Sequence, residues 1–200
     1  MLDFEKNYPQ YTFIAGIDEA GRGPLAGPVC VAAVIMPHNM RVDGVNDSKK
    51  VSEKKREELY EKIVSEAVAY NVVFVGHKEI DRINILEATR LGMEQAYAGL
   101  SVKPEIVFID AVSKVKTAAP NVPIIRGDEL SYNIAAASIL AKVSRDKLMI
   151  EYDKKFPLYG FCRNKGYGTE EHIAAIKAYG LCEIHRLTFV KNILAEATYA

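Results

Sequence analysis

Apolar positions fall into short, strand-sized runs early in the chain and into helical spacing later. Thr12 to Asp18 is a brief apolar run that closes on an acid. Pro28 to Met36 is apolar and β-branched, which suits a buried strand. Asn39 to Asp47 collects turn formers and predicts a loop. Ser52 to Tyr70 has helical composition, with Leu59, Ile63 and Ala67 four apart on one face. Asn71 to Gly76 predicts a strand. Asn84 to Gly99 predicts a helix with Asn as its cap and Gly at its end.

The second half continues the alternation. Glu105 to Asp110 carries the buried-type run IVFI and again ends in Asp, and Val122 to Ile125 predicts a short strand. Ser131 to Phe156 is the longest helical stretch. Its start, IAAASILAKV, is small and apolar, so it can lie close against a sheet. Thr169 to Tyr179 predicts a helix stopped by Gly180, and a last helix runs from Phe189 toward the C-terminus. Strands that cluster first and then alternate with helices predict an α/β fold, a mixed sheet with helices on both faces. No internal repeat or low-complexity linker interrupts the pattern.

Composition narrows the class. The 200 residues are 49% hydrophobic and 26% charged, values of an ordinary globular domain. The longest apolar stretch, Val29 to Met36, is far short of the roughly 20 residues of a membrane span. The first ten residues lack the basic and hydrophobic regions of a secretion signal, so a cytoplasmic location is expected. Three cysteines (Cys30, Cys162, Cys182) show no paired spacing, which suggests neither a disulfide framework nor a zinc site. Cys30, inside an apolar run, reads as a buried thiol. Formal net charge is zero, which argues against a large non-specific basic surface. Any nucleic-acid contact must come from local patches.

Four acids stand out by position. Asp18 and Glu19 end the first strand, Asp110 ends the IVFI strand, and Asp128 precedes the long small-residue helix. Acids at the ends of apolar strands lie at the sheet rim, where open α/β sheets bind ligands. Several carboxylates meeting there would repel unless protonated or neutralised by a cation. Oxygen-rich clusters suit Mg²⁺ or Mn²⁺, and two such ions support phosphodiester hydrolysis. Taken singly, each acid reads equally well as a cap or a solvated strand end. Directly after Glu19 comes AGRGPLAGP, Ala20 to Pro28. A dinucleotide-binding loop would open a helix, whereas Pro28 leads into a strand. The alternatives are a plain turn or a place where backbone amides of Gly21 and Gly23 approach a sugar or phosphate, with Arg22 adding a phosphate contact.

Longer runs carry a resemblance. GIDEAGRGPLAGPV (Gly16 to Val29), NDSKKVSEKKR (Asn46 to Arg56) and NILEATRLGM (Asn84 to Met93) are followed by RGDELSYNIAAASILAKVSRD (Arg126 to Asp146), YGFCRNKGYGTEEH (Tyr159 to His172) and HRLTF (His185 to Phe189). In order and spacing they resemble the motifs of the bacterial type II ribonuclease H family, over nearly the whole chain. The resemblance implies a single ribonuclease H-like catalytic domain over residues 1–200, a five-stranded mixed sheet flanked by helices. Its helical C-terminal part, about residues 160–200, would contribute to substrate binding. It implies catalytic and metal-binding roles for Asp18, Glu19, Asp110 and Asp128, with Mn²⁺ or Mg²⁺ as cofactor. It implies that Gly21, Arg22 and Gly23 read the ribonucleotide 2′-hydroxyl and its junction with DNA, and that Tyr167 stacks on the next deoxyribose. The 2′-hydroxyl is indeed what separates RNA from DNA.

The implied activity is hydrolysis of RNA in RNA–DNA hybrids and nicking 5′ of single ribonucleotides in duplex DNA, by a monomer with no membrane partner. The resemblance leaves room for a sliding-clamp contact, but the C-terminus shows no clear clamp-binding peptide. One departure stands in the loop after Asp110, where the family's usual Gly is Ala111. A catalytically dead hybrid-binding module would lack an acid, and a resolvase-like nuclease would lack the GRG turn and the GYGT tyrosine. Within the basic stretch Lys49 to Arg56, Lys49 is the candidate phosphate contact, against a solvated helix end. Arg163 and Lys165 beside GYGT are candidates for the duplex backbone. Lys142 and Arg145 read as phosphate contacts or as an ordinary salt-bridged face, and His185-Arg186 as a motif or as packing. His38 and His77 read as surface residues.

Overall fold

The computed structural model describes residues 3–38, 41–45 and 51–198, with side chains to Ile193. Lys49 and the ends of the Asn39–Asp47 loop lie outside the described residues. Five strands form one sheet: β1 (Ile14–Ala20), β2 (Val29–Ile35), β3 (Ala69–Val75), β4 (Ile106–Asp110) and β5 (Asn121–Ile124), in the order β3-β2-β1-β4-β5. β1, β2 and β3 are antiparallel neighbours, while β4 runs parallel to β1 and β5 parallel to β4. This is the expected mixed sheet.

Two apolar layers cover it. Cys30, Ala32 and Val34 of β2 face Leu59 and Ile63 of helix α1 (Glu53–Glu66), together with Ala135, Ala136, Ile139 and Leu140 of α4 (Tyr132–Lys155). The alternate residues Val31, Ala33 and Ile35 face Met93 and Ala96 of α2 (His77–Ala98). The period-two alternation of a strand explains why β2 is apolar on both sides. The small residues of α4 let it press onto β1. A side chain at Gly16 would lie 2.1 Å from the Asn133 carbonyl carbon, so only glycine fits there.

The first strand runs Ile14–Ala20 rather than Thr12 to Asp18, and three helix ends differ from the sequence expectation. The first helix stops at Glu66, because Val68 donates to the Ile35 carbonyl and Ala69 and Tyr70 pair with Ile35 and Val34. Strand pairing overrides helical composition there. The next helix begins earlier, at His77, but breaks at Asn84 (φ 67°, ψ 166°). The Asn84 side chain accepts hydrogen bonds from the Leu86 and Glu87 amides, so it caps the second segment as its sequence position suggested. The last helix, α7 (Leu187–Thr198), begins two residues before Phe189. Asp81 of α2 caps it by accepting from Leu187 N and Thr188 N at 2.8 and 2.9 Å.

Gly127–Leu130 forms the one-turn helix α3, and Phe161–Asn164 another, α5. With α6 (Glu170–Tyr179) and α7, α5 builds a smaller core of Phe161, Ile176, Ile184 and Val190 against Met149 of α4 and Ala26. No helix among the described residues is long and apolar enough to cross a membrane.

Candidate active site

The sheet register brings the acids together. Ile17 of β1 pairs with Ile109 of β4 in parallel. The next residues, Asp18 and Asp110, therefore stand level on adjacent strands and leave the same face. That face carries α4. Gly16 lies under Asn133, and two residues on, about 6–7 Å along the strand, Asp18 meets Ser138, a similar distance along the helix. The Ser138 hydroxyl donates to Asp18, and the Glu19 amide donates to Asp18 Oδ1 at 2.7 Å. β1 continues past the acids: Asp18, Glu19 and Ala20 pair with Ala32, Val31 and Cys30. The carboxylates are thus held on rigid strand rather than on a loop.

A cleft of about 190 Å³ opens here, lined by Asp18, Glu19, Gly21, Asp110, Ser138, Lys142 and Tyr167 among others. Asp128, buried in the first turn of α3, lies outside this lining. It is coupled to the cleft by its neighbour, since Gly127 N donates to Asp110 Oδ1 at 2.7 Å. Among the described residues, no three His, Cys, Asp or Glu side chains converge as a ready metal cage.

The electrostatics are unfavourable for bare carboxylates. Burial holds the Asp18 carboxyl well above the usual range, and the charges of Glu19 and Asp110 raise it further. Burial also lifts Glu19 to about 7; Arg22 opposes this and Asp110 adds to it. Arg22 Nη1 reaches Glu19 Oε1 at 3.3 Å, yet Glu19 Oε2 is buried without a hydrogen-bond partner. An all-oxygen donor set with an orphaned carboxylate oxygen fits a small, hard divalent cation.

The glycine turn and the GYGT loop meet across this cleft. Gly21 takes φ 94°, and a side chain there would lie 1.9 Å from Arg145 Nε. A side chain at Gly23 would point at Tyr167, 3.8 Å from its ring. Two buried arginines hold the two loops. Arg145 donates to the carbonyls of Pro28, Ala26 and Lys165 at 2.9–3.2 Å. Arg186 donates to those of Gly27, Arg22 and Gly21 at 2.6–2.9 Å. Leu25 N also bonds the Gly166 carbonyl, and Gly27 N that of Ile184.

With this geometry in place, the comparison with known proteins is direct. The family model described as Ribonuclease HII matches residues 15–192. The chain belongs to the ribonuclease HII family. The ribonuclease HII of Ruminiclostridium cellulolyticum is 52% identical over 196 residues, 97% of this chain and 77% of that protein. The crystal structure of the ribonuclease H2 from Pyrococcus horikoshii matches with a TM-score of 0.80 at 26% identity, over 94% of this chain and 100% of that one. The ribonuclease HII of Archaeoglobus fulgidus, solved as a complex with PCNA, gives 0.74 at 30% identity, over 88% and 94%. The chain is accordingly a ribonuclease H, a hydrolase, of α/β fold.

Among the residues singled out from the sequence, Asp18, Glu19, Asp110, Gly21 and Tyr167 line one cleft, with Gly23 beside Tyr167. Arg145 is not a phosphate contact, being 1% exposed and bonded to three carbonyls. Lys142 lines the cleft and is also paired with Asp146 at 2.8 Å. Arg163 is ion-paired with Glu171, and Lys165 with Glu53 at 3.6 Å. His185 and Arg186 are both buried, Arg186 on its three carbonyls and His185 against Tyr159. His38 is exposed, but His77 is only partly so. Cys30 is the expected buried thiol, lifted by burial to about 12. Ser138 went unnoticed in the sequence. Its signal was available: a serine one to two turns beyond Asn133 on a face otherwise built of alanine.

Proposed function

We propose that Asp18, Glu19, Asp110 and Asp128 form the catalytic and metal-binding set of this ribonuclease HII. The family depends on a divalent metal, and Mn²⁺ or Mg²⁺ is the ion that all-oxygen donors favour. The substrates are RNA–DNA hybrids and duplex DNA carrying single ribonucleotides, cut on the 5′ side of the ribonucleotide to leave a 5′-phosphate and a 3′-hydroxyl. Ribonucleotide removal from DNA is the physiological role. One observation carries this reading: three carboxylates, a glycine turn and an exposed tyrosine line the same cleft.

The residues divide the work. Ser138 and the Glu19 amide hold Asp18 in one orientation beside Asp110. The four carboxylates would hold a divalent ion, which would supply positive charge at the scissile phosphate and make a water easier to deprotonate. Gly21 and Gly23 let backbone groups of the turn approach the ribose 2′-hydroxyl with no side chain in the way. Arg22, partly exposed beside Glu19, contacts a phosphate. Tyr167, 44% exposed, packs on the following deoxyribose. Because Tyr167 follows α5 in the chain, the helical part from about residue 160 belongs to the substrate-binding surface of one catalytic domain. Lys49 joins as a phosphate contact on its motif alone. The enzyme acts as a cytoplasmic monomer.

A nicking assay on a DNA duplex with one ribonucleotide, in Mg²⁺, Mn²⁺ or EDTA, tests this. Metal-dependent cutting 5′ of the ribonucleotide is expected. Cutting of continuous hybrid alone would remove the roles given to the glycine turn and Tyr167. Cutting of neither would overturn the site.

A further inference from the structure

Tyr167 stands at the edge of the cleft, but its backbone is anchored in the interior. Its carbonyl accepts from Thr169 N at 2.8 Å and lies 2.9 Å from His172 Nδ1. The contacts continue inward. His172 Nε2 is 3.1 Å from His185 Nε2, and His185 Nδ1 is 2.9 Å from the Cys182 amide nitrogen. Both imidazoles are fully buried.

Donor and acceptor chemistry fixes the end of the relay that holds Tyr167. A carbonyl only accepts, so His172 Nδ1 carries a proton. His185 Nδ1 has both the Cys182 amide nitrogen, at 2.9 Å, and the Cys182 carbonyl, at 3.2 Å, within reach. With His172 neutral, its Nε2 accepts from His185 Nε2 and its Nδ1 proton stays on the hydrogen bond to the Tyr167 carbonyl.

We infer that His172 and His185 are positioning residues: their hydrogen-bonded pair fixes the Tyr167 carbonyl, and through it the ring's place beside Gly23. This rests on the substrate-stacking role proposed for Tyr167. The surroundings support it. Tyr159 and Phe161 of the C-terminal core present ring edges to the pair, leaving little water to replace a broken link. The charged or titratable groups acting on the pair are Glu171 of α6, Cys182, and His77 of α2. Burial lowers both imidazoles, His185 to about 4, in keeping with neutral rings at pH 7. A second proton between the two Nε2 atoms would push the rings apart and free the carbonyl.

The test compares a single-ribonucleotide duplex with a continuous RNA–DNA hybrid. His172→Leu is expected to lower kcat/KM on the single-ribonucleotide duplex by on the order of 10- to 100-fold, the scale of an ångström-level misplacement, with a much smaller loss on hybrid. His172→Asn, which keeps an N–H where Nδ1 stands, should recover most of the junction activity. Adding His172→Leu to Tyr167→Ala should cost nothing further on the junction, since the two act through one group. An equal loss on both substrates, without rescue by Asn, would reduce the pair to ordinary packing. If Tyr167→Ala does not separate the substrates, the stacking role fails instead. Should His172→Leu not fold, the unmodified enzyme still decides. Its junction-to-hybrid activity ratio, which cancels the shared loss of metal affinity, should stay level from pH 7 to 5 and fall as pH drops toward 4, and Tyr167→Ala should abolish that fall. A ratio that stays flat down to pH 4 would overturn the inference.

Discussion

The carboxylate cleft and the arginine-held loops beside it are built on opposite principles. In the cleft, Asp18 is buried and Glu19 partly so; Glu19 and Asp110 raise the cost of ionising Asp18, Asp110 raises that of Glu19, and one oxygen of Glu19 has no partner. A few residues away, Arg145 and Arg186 are as buried as any side chain in the protein, yet each is matched to three carbonyls. The guanidinium fork supplies donors in fixed directions, and the two loops supply acceptors to meet them. One region is electrostatically incomplete and waits for a ligand; the other is complete without one. The incomplete region can persist because the complete one, with β1 and α4, holds its backbone. Perturbed acids in a cleft are what a metal-dependent hydrolase requires.

The largest effect that separates the two regions is on activity. Asp18→Asn should lower cleavage by roughly 10³-fold, a few kcal/mol of transition-state stabilisation. The same change should leave the metal-free protein at least as stable, because it removes a buried charge that its neighbours oppose. Nicking assays and thermal melts of one preparation read both. A variant that is active, or inactive only because it is unfolded, would undo the contrast.

Arg186→Met should do the reverse. It leaves three carbonyls of the glycine turn without donors, at roughly 1 kcal/mol or more each, so urea unfolding should show a loss of about 3 kcal/mol or more. Arg186→Lys should restore little, since an ammonium cannot reproduce the fork. A neutral Arg186→Met would show that the loops hold themselves.

The buried histidines give a smaller, pH-dependent effect. Their pKa values are lower in the folded chain than the ordinary 6.5, so the unfolded chain binds more protons below that point. Stability should be insensitive to them above about pH 6.5 and should fall as pH drops toward 4, the value for His185. Glu19 contributes with the opposite sign, because its pKa is raised on folding. The difference between the unmodified protein and His185→Gln across pH 7 to 4 isolates the histidine part; parallel curves would refute it.

The smallest effect concerns the loop after Asp110. Ala111 takes φ 46°, a left-handed conformation that glycine adopts more readily than alanine. An L-residue there costs about 1–2 kcal/mol, against 0.5–1 kcal/mol of extra chain entropy for Gly. Ala111→Gly should therefore stabilise by roughly 0.5 kcal/mol in chemical denaturation, with cleavage unchanged. A destabilised variant would mean that the alanine methyl packs usefully.

What could be read from the residues alone was what depends on local chemistry. The apolar runs located all five strands, because a buried strand needs β-branched and apolar residues whatever lies beside it. Asn84 announced its cap through its own side chain. The motifs from Gly16 to Phe189 carried the family, and with it the four acids. The tertiary structure decided everything that depends on what meets what. Tyr70 is strand rather than helix because β2 offers it hydrogen bonds. Arg145 is a buried brace rather than a phosphate contact because three carbonyls converge on it from distant loops. Asp18 and Asp110, ninety-two positions apart, share a face only because Ile17 and Ile109 set the register of two parallel strands. Local preference is written in each residue and its neighbours. Register, burial and the pairing of donors with acceptors belong to groups that are far apart in the chain, and only folding puts them side by side.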